Sequence, residues 1–297
     1  MVQLIDLHYG RPRTIASYVL EGSEGPVIIE TGPDSCYPRL VNGLARLGYE
    51  PADVRQVFVT HIHLDHAGAA WRFARHGARI YAHPLGAPHL IDPSKLWASA
   101  TRIYGDQTEP LWGRAEPIPP EQVVVLEDNQ TVRFGPLEIQ ALETPGHAPH
   151  HLAYRVEDAV FTGDVAGVRI GPGPVLPPCP PPDIHVEQWQ RSIARLRDLS
   201  PARLYLTHFG PYTDVREHLD QLEAKLLEYA GWIRDRLRQG LSQEQIVPQF
   251  EQMLNGDLER FGLDQEGLAD YEKADPAWMS VAGLSRYWQK HHPEALQ

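Results

Sequence analysis

The chain has 297 residues, 42% of them hydrophobic, enough to bury a large core in one body or in one body with a smaller appendage. Its 27 Lys and Arg against 39 Asp and Glu leave a formal charge of −12 at pH 7, so a nucleic-acid partner is not expected. Two cysteines, Cys36 and Cys179, exclude a disulfide framework and fit a reducing cytoplasm.

The start, Met1-Val2-Gln3-Leu4-Ile5-Asp6, has neither the basic nor the long apolar region of a secretion signal. Nor does any stretch approach the roughly 20 apolar residues of a membrane span. A soluble, cytoplasmic chain with no membrane partner is therefore expected. Up to about residue 210 the pattern is one of short apolar runs that end in polar loops. Val27-Ile28-Ile29 runs into Glu30-Thr31-Gly32, and Val57-Phe58-Val59 into Thr60-His61. Ala159-Val160-Phe161 runs into Thr162-Gly163-Asp164, and Leu204-Tyr205-Leu206 into Thr207-His208. Rigid strands that present side chains from their terminal loops suit a site that needs fixed positions.

Leu40, Leu44 and Leu47 predict a helix over 38–47. Residues 186–199 read as a second, opened by Asp183 and closed before Pro201. Strands alternating with helices indicate an α/β layered body. Residues 84–120 mix Trp97, Tyr104 and Trp112 with Gly and Pro, and read as a long irregular insertion near the site. Residues 171–182 are mostly Pro and Gly, a semi-rigid extended loop suited to forming a wall.

After Thr213 the composition becomes that of a helical tail. Leu219, Leu222, Leu226, Tyr229, Ile233 and Leu237 keep helical spacing up to Gly240, a C-cap. Ser242-x-x-Gln245 is a capping box for the next helix, and Asp275-Pro276 opens the last. The division expected is 1–212 for a catalytic body and 213–297 for a helical C-terminal domain, whose apolar stripe allows a homodimer.

His61-Ile62-His63-Leu64-Asp65-His66 gathers three imidazoles and a carboxylate within six residues at a strand exit. That is metal-ligand spacing: imidazole suits zinc and iron, and carboxylate oxygen widens the choice to harder ions. Three more candidates stand in turn-like contexts, His147 in Thr-Pro-Gly-His, Asp164 in Thr-Gly-Asp and His208 in Thr-His-Phe-Gly. A polar surface loop is the plain alternative for the first cluster, and the three later partners weigh against it. His83, His150, His151 and His185 add no missing ligand and are left out. Tyr212, four residues past His208, is a candidate donor to a substrate oxyanion, with packing as the alternative.

The ordered set of seven resembles the metallo-β-lactamase superfamily, with its H-x-H-x-D-H signature and later His, Asp and His, across roughly residues 15 to 212. The resemblance implies an αββα four-layer sandwich with the helical extension added. It implies that His61, His63 and His147 hold one metal, Asp65, His66 and His208 another, and that Asp164 bridges them. Two divalent ions follow, zinc first with manganese or iron as alternatives, with a bridging hydroxide as nucleophile. Asp65, the catalytic candidate, would orient that hydroxide or pass on its proton. Where the family usually shows Asp-x-Gly after the early strand, this chain has Glu30-Thr31-Gly32.

Within the superfamily the chain most resembles the glyoxalase II-like branch, through Thr60 to Gly68, Thr144 to His147 and Phe161 to Asp164. The tail shows no clear counterpart of that branch's glutathione-binding basic residues. The activity expected is hydrolysis of a small ester, thioester, lactone or similar acyl substrate, with that small molecule as the partner. Two alternatives share the fold. A mononuclear non-haem iron persulfide dioxygenase uses two His and one Asp, and a complete second set argues against it. A phosphodiesterase or nuclease is disfavoured by the charge.

Overall fold

A computed structural model describes residues 1–297. One sheet runs in chain order through β1 (Gln3–Asp6), β2 (Ala16–Gly22), β3 (Gly25–Ile29), β4 (Gln56–Phe58), β5 (Arg79–Ala82) and β6 (Val123–Val125). The other consists of β7 (Thr131–Phe134), β8 (Leu137–Glu143), β9 (Leu152–Val156), β10 (Ala159–Gly163), β11 (Arg203–Leu206) and β12 (Gly210–Tyr212), again in chain order. The helices are α1 (Tyr37–Arg46), α2 (Leu64–Ala67), α3 (Ala70–Ala74), α4 (Ala87–Ile91), α5 (Ser94–Tyr104), α6 (Thr108–Trp112), α7 (Val186–Leu199), α8 (Val215–Arg238), α9 (Gln243–Arg260), α10 (Gln265–Ala274) and α11 (Ala277–His291). No helix is long and apolar enough to cross a membrane.

Alternation along the strands sorts side chains into layers, because successive residues point to opposite faces of a sheet. Val27 and Ile29 join Phe58, Tyr81, Tyr154 and Phe161 in the core between the sheets, while Ile28 and Val57 join Leu40 and Phe73 in the core beneath α1 and α3. A third core lies outside the second sheet, where Val160 and Leu204 meet Trp189 of α7 and Leu222 of α8. Three cores separate four layers, as the sandwich requires.

β3, β4, β5 and β6 are parallel, as are β10 and β11, so their carboxyl ends reach the same edges. Backbone bonds fasten the two sheets together there, Ala16 N donating to Thr207 O at 2.8 Å and Leu152 N to Thr60 O at 2.7 Å. The loops that leave this rim therefore start from a rigid frame.

Several local expectations shift. Helix α7 covers 186–199, but the residue before it is His185 and no side chain caps it, so Asp183 does not open the helix. Residues 84–120 are not irregular; they hold α4, α5 and α6. Pro88 falls in the first turn of α4, where a missing N–H costs nothing, so proline there opens a helix instead of breaking one. The tail has four helices, one more than its spacing suggested; α10 buries only Leu268, Asp270 and Tyr271 and starts on a cap in which Asp264 accepts from Gly267 N at 3.0 Å. The Ser242/Gln245 capping box is formed as expected. Leu219, Leu222, Leu226, Tyr229 and Ile233 of α8 belong to the same continuous core as Leu142, Val160 and Leu204 of the second sheet.

Candidate functional site

The exits of β4, β10 and β11, the first turn of α2 and the loop after β8 converge on one point of the rim. All seven residues singled out from the sequence meet there. His63 Nδ1 lies 2.9 Å from His61 Nε2 and 3.1 Å from His147 Nε2. His208 Nε2 lies 3.4 Å from Asp65 Oδ2, which is 3.6 Å from His66 Nε2. Asp164 sits between the two groups: its Oδ2 is 3.4 Å from His147 Nε2, while its Oδ1 is 3.3 Å from His66 Nε2 and 3.5 Å from His208 Nε2.

Four of the five imidazoles, all but His63, turn a nitrogen away from the cluster toward a partner. His147 Nδ1 donates to Pro178 O at 2.9 Å and His208 Nδ1 to Thr14 O at 2.6 Å; His61 Nδ1 is 3.0 Å from Thr60 Oγ1. His66 Nδ1 faces Glu30 Oε1 at 3.4 Å, and the same oxygen accepts from Thr60 N at 3.3 Å. The longer side chain at the Asp-x-Gly position thus still reaches an imidazole of the cluster. Such contacts fix ring orientation and tautomer. His151, left out as a ligand, has a supporting place: Nδ1 is 2.8 Å from Thr144 Oγ1 and Nε2 accepts from Asp164 N at 3.3 Å. Gly163, at φ +51°, makes that approach feasible, because a Cβ would sit 2.4 Å from Thr60 Oγ1 and 2.7 Å from His151 Nε2.

Burial lowers His61, His63 and His147, His63 to about 3, so their rings are neutral and their lone pairs free at pH 7. Burial also opposes charge on His66 and His208, but Asp164 and Asp65 outweigh it and hold both above the usual imidazole range. Burial would raise Asp65; His66 and His208 overcome it and hold the carboxyl at about 2. His66 Nε2 and Asp164 Oδ1 are fully enclosed and make no hydrogen bond. Buried polar atoms left without partners are costly, and atoms of these types converging on one point fit a cation. These groups could hold metal ions.

The cluster floors a cavity of about 700 Å³. Its roof draws on segments far apart in sequence: Leu96 and Tyr104 of α5, Trp112 of α6, Pro180 of the proline loop, and Asp275 and Trp278 of the tail. Trp112 stacks on Tyr9 at 5.2 Å between centroids, and Tyr104 meets both Trp112 and Trp278 edge-on. Of the 171–182 loop only the end, Pro178 and Pro180 to Pro182, forms a wall, and Trp97 lies outside the lining. Tyr212 also turns away: its hydroxyl donates to Arg169 O at 2.7 Å, so it packs and offers no donor to the cavity. No local signal placed Tyr9, Asp275 or Trp278 in the roof; Asp275 stood out only as the opening of the last helix.

The family model described as Metallo-beta-lactamase superfamily matches residues 10–208. The chain belongs to the metallo-β-lactamase superfamily. This metallo-β-lactamase-fold chain is 28% identical over 220 residues to the metallo-beta-lactamase fold-containing protein ST1585 of Sulfurisphaera tokodaii, covering 72% of this chain and 80% of that one. The solved structure of ST1585 superposes with a TM-score of 0.61, covering 74% of this chain and 85% of that chain at 26% identity. A hydroxyacylglutathione hydrolase of Shewanella sp. (strain ANA-3) is 32% identical over 108 residues, 36% of this chain and 33% of that protein. An N-acyl homoserine lactonase of a Bacillus sp is 26% identical over 163 residues, 47% of this chain and 57% of that protein. The match thus spans about a third of the first of these two and just over half of the second.

Proposed function

We propose that this superfamily member is a metal-dependent hydrolase that cleaves a small ester, thioester, lactone or similar acyl substrate in the cavity above the His/Asp cluster. In this reading His61, His63 and His147 hold one divalent cation, Asp65, His66 and His208 hold a second, and Asp164 lies between them. The observation that carries it is the orientation of Asp164, whose Oδ2 faces His147 while its Oδ1 faces His66 and His208. A carboxylate with its oxygens turned to two imidazole sets is what a shared ligand needs, and two bound cations would acidify a water and polarise a carbonyl. Imidazole-rich donors with carboxylates suit zinc first, then iron or manganese.

The chain's own residues supply the rest. Asp65 lines the cavity, keeps 24% of its side chain exposed, and is 3.4 Å from His208, so its Oδ2 is within reach of a proton leaving or entering the cavity floor. Aliphatic and aromatic walls exclude water and accept an acyl chain. A glyoxalase II-like role is supported by the Thr60–Gly68, Thr144–His147 and Phe161–Asp164 runs and by the partial likeness to a hydroxyacylglutathione hydrolase. The likeness to a lactonase keeps lactones in the same set.

Metal analysis of protein purified without added metal, followed by an ester, thioester and lactone screen, tests the reading. About two divalent ions per chain with turnover of one of these classes is the expected result. A single iron per chain with oxygen uptake on a persulfide would overturn it in favour of the oxygenase.

A further inference from the structure

Asp275 is the feature of the cavity that the hydrolytic chemistry leaves unused. It lies between α10 and α11, lines the cavity, and is only 5% exposed. Its one side-chain hydrogen-bond partner is Ser280 Oγ, 3.5 Å from Oδ1. Burial, reinforced by Asp164 and by Glu272, holds its carboxyl well above the usual carboxylate range. That favours the neutral acid as long as no donor stands beside it, and a donor or cation bound in the cavity would favour the carboxylate.

The surroundings fix this carboxyl in place. Ser280 Oγ, which donates to Asp275, also accepts from Cys179 N at 3.2 Å. Cys179 belongs to the proline loop, and that loop lies hard against α11 because Gly283 has no side chain: a Cβ there would sit 2.0 Å from Cys179 O. The next carbonyl back along the loop, Pro178 O, is the one that orients His147. A single run of contacts therefore sets Asp275 in register with the cluster below. Pro180, Pro276 and Trp278 are its apolar neighbours in the wall, which also carries Glu272 and Lys273; Asp275 differs from these two in being almost wholly buried.

We propose that Asp275 is a specificity residue that accepts a hydrogen bond from a donor group, hydroxyl, amide N–H or ammonium, carried by the acyl substrate away from the scissile carbonyl. The inference rests on the acyl-hydrolase reading. A site built to pair with a donor discriminates strongly against the analogue that lacks one, because its own polar group is then left unpaired.

The test compares wild type, Asp275→Asn and Asp275→Leu on p-nitrophenyl esters of one chain length that end in methyl, hydroxyl or ammonium. The expected result is that Asp275→Leu loses about tenfold or more in kcat/KM on the hydroxyl and ammonium esters, or on one of them, and stays within about twofold on the methyl ester. Asp275→Asn keeps the hydroxyl ester and loses the ammonium ester, which separates a neutral donor from a cation. Asp275→Leu also raises the unfolding midpoint, since it removes a buried carboxyl whose one side-chain partner is the long bond from Ser280, an outcome a structural role would reverse. Equal loss on all three esters, or no loss on any, overturns the proposal. Should wild type cleave none of them, the ester, thioester and lactone screen decides the acyl reading separately. The matching amides then rank donor against methyl by quenching of tryptophan fluorescence, and equal binding by wild type and Asp275→Leu overturns the specificity role.

Discussion

On the cavity floor seven polar side chains converge from strand ends and one helical turn, and most of the imidazoles are fixed through the nitrogen that faces away. The roof is made by helices and a proline loop whose lining is mainly aliphatic and aromatic. Floor geometry is imposed by sheet backbone, which neighbouring strands hold on both sides. Roof geometry is set by packed area, which tolerates exchange of one apolar shape for another. The lesson is a division of labour. Most residues that hold charge at a fixed distance sit at the ends of paired strands, and the apolar residues of the roof sit where the chain can vary without disturbing them.

The comparison breaks most visibly if the tail is removed. Ending the chain after Tyr212 strips Leu219, Leu222, Leu226 and Tyr229 from the core they share with the second sheet. At about 1.5–3 kcal/mol for each buried side chain, the loss rivals the whole stability of a domain. Cooperative thermal unfolding followed by circular dichroism should vanish, and a sharp transition in the shortened chain would show that the roof is separable after all. Next in size is Asp164→Ala, which should bring hydrolysis to background and lower metal content by elemental analysis. Retained activity on the best substrate would remove Asp164 from between the two ligand groups.

Glu30→Gln probes the floor one contact further out, where it faces His66. Metal affinity measured by chelator competition should fall about 10–100-fold, with the fold intact. Trp112→Ala probes the roof and should show the opposite kinetic signature, KM raised about tenfold with kcat nearly unchanged. If kcat falls in step instead, the roof takes part in the chemistry and the division fails. The smallest effect is expected for Tyr212→Phe. It should cost about 1 kcal/mol in denaturant unfolding, from the lost bond to Arg169 O, and leave kcat alone. A drop in kcat would restore the phenol as an oxyanion donor.

What could be read from the sequence was local. The His61–His66 run, the three later ligand candidates, the strand-to-loop exits, α7 and the Ser242 capping box depend on residues a few positions apart, whose spacing is set by backbone geometry. Resemblance carried the αββα architecture. The helices at 87–112 escaped because α4 and α6 have five residues each and Pro88, Pro93 and Pro110 stand in or just before the three, and α10 because it is short and buries only Leu268, Asp270 and Tyr271.

Only the tertiary structure decided that Glu30 reaches His66, that His151 supports Asp164, and that Tyr212 turns away. It also brought Tyr9, Trp112 and Asp275 around one cavity. These contacts join residues tens to hundreds of positions apart, and no periodicity encodes them. They exist because two sheets and their helices must bury their apolar faces together, and that packing sets which distant side chains meet over the cluster.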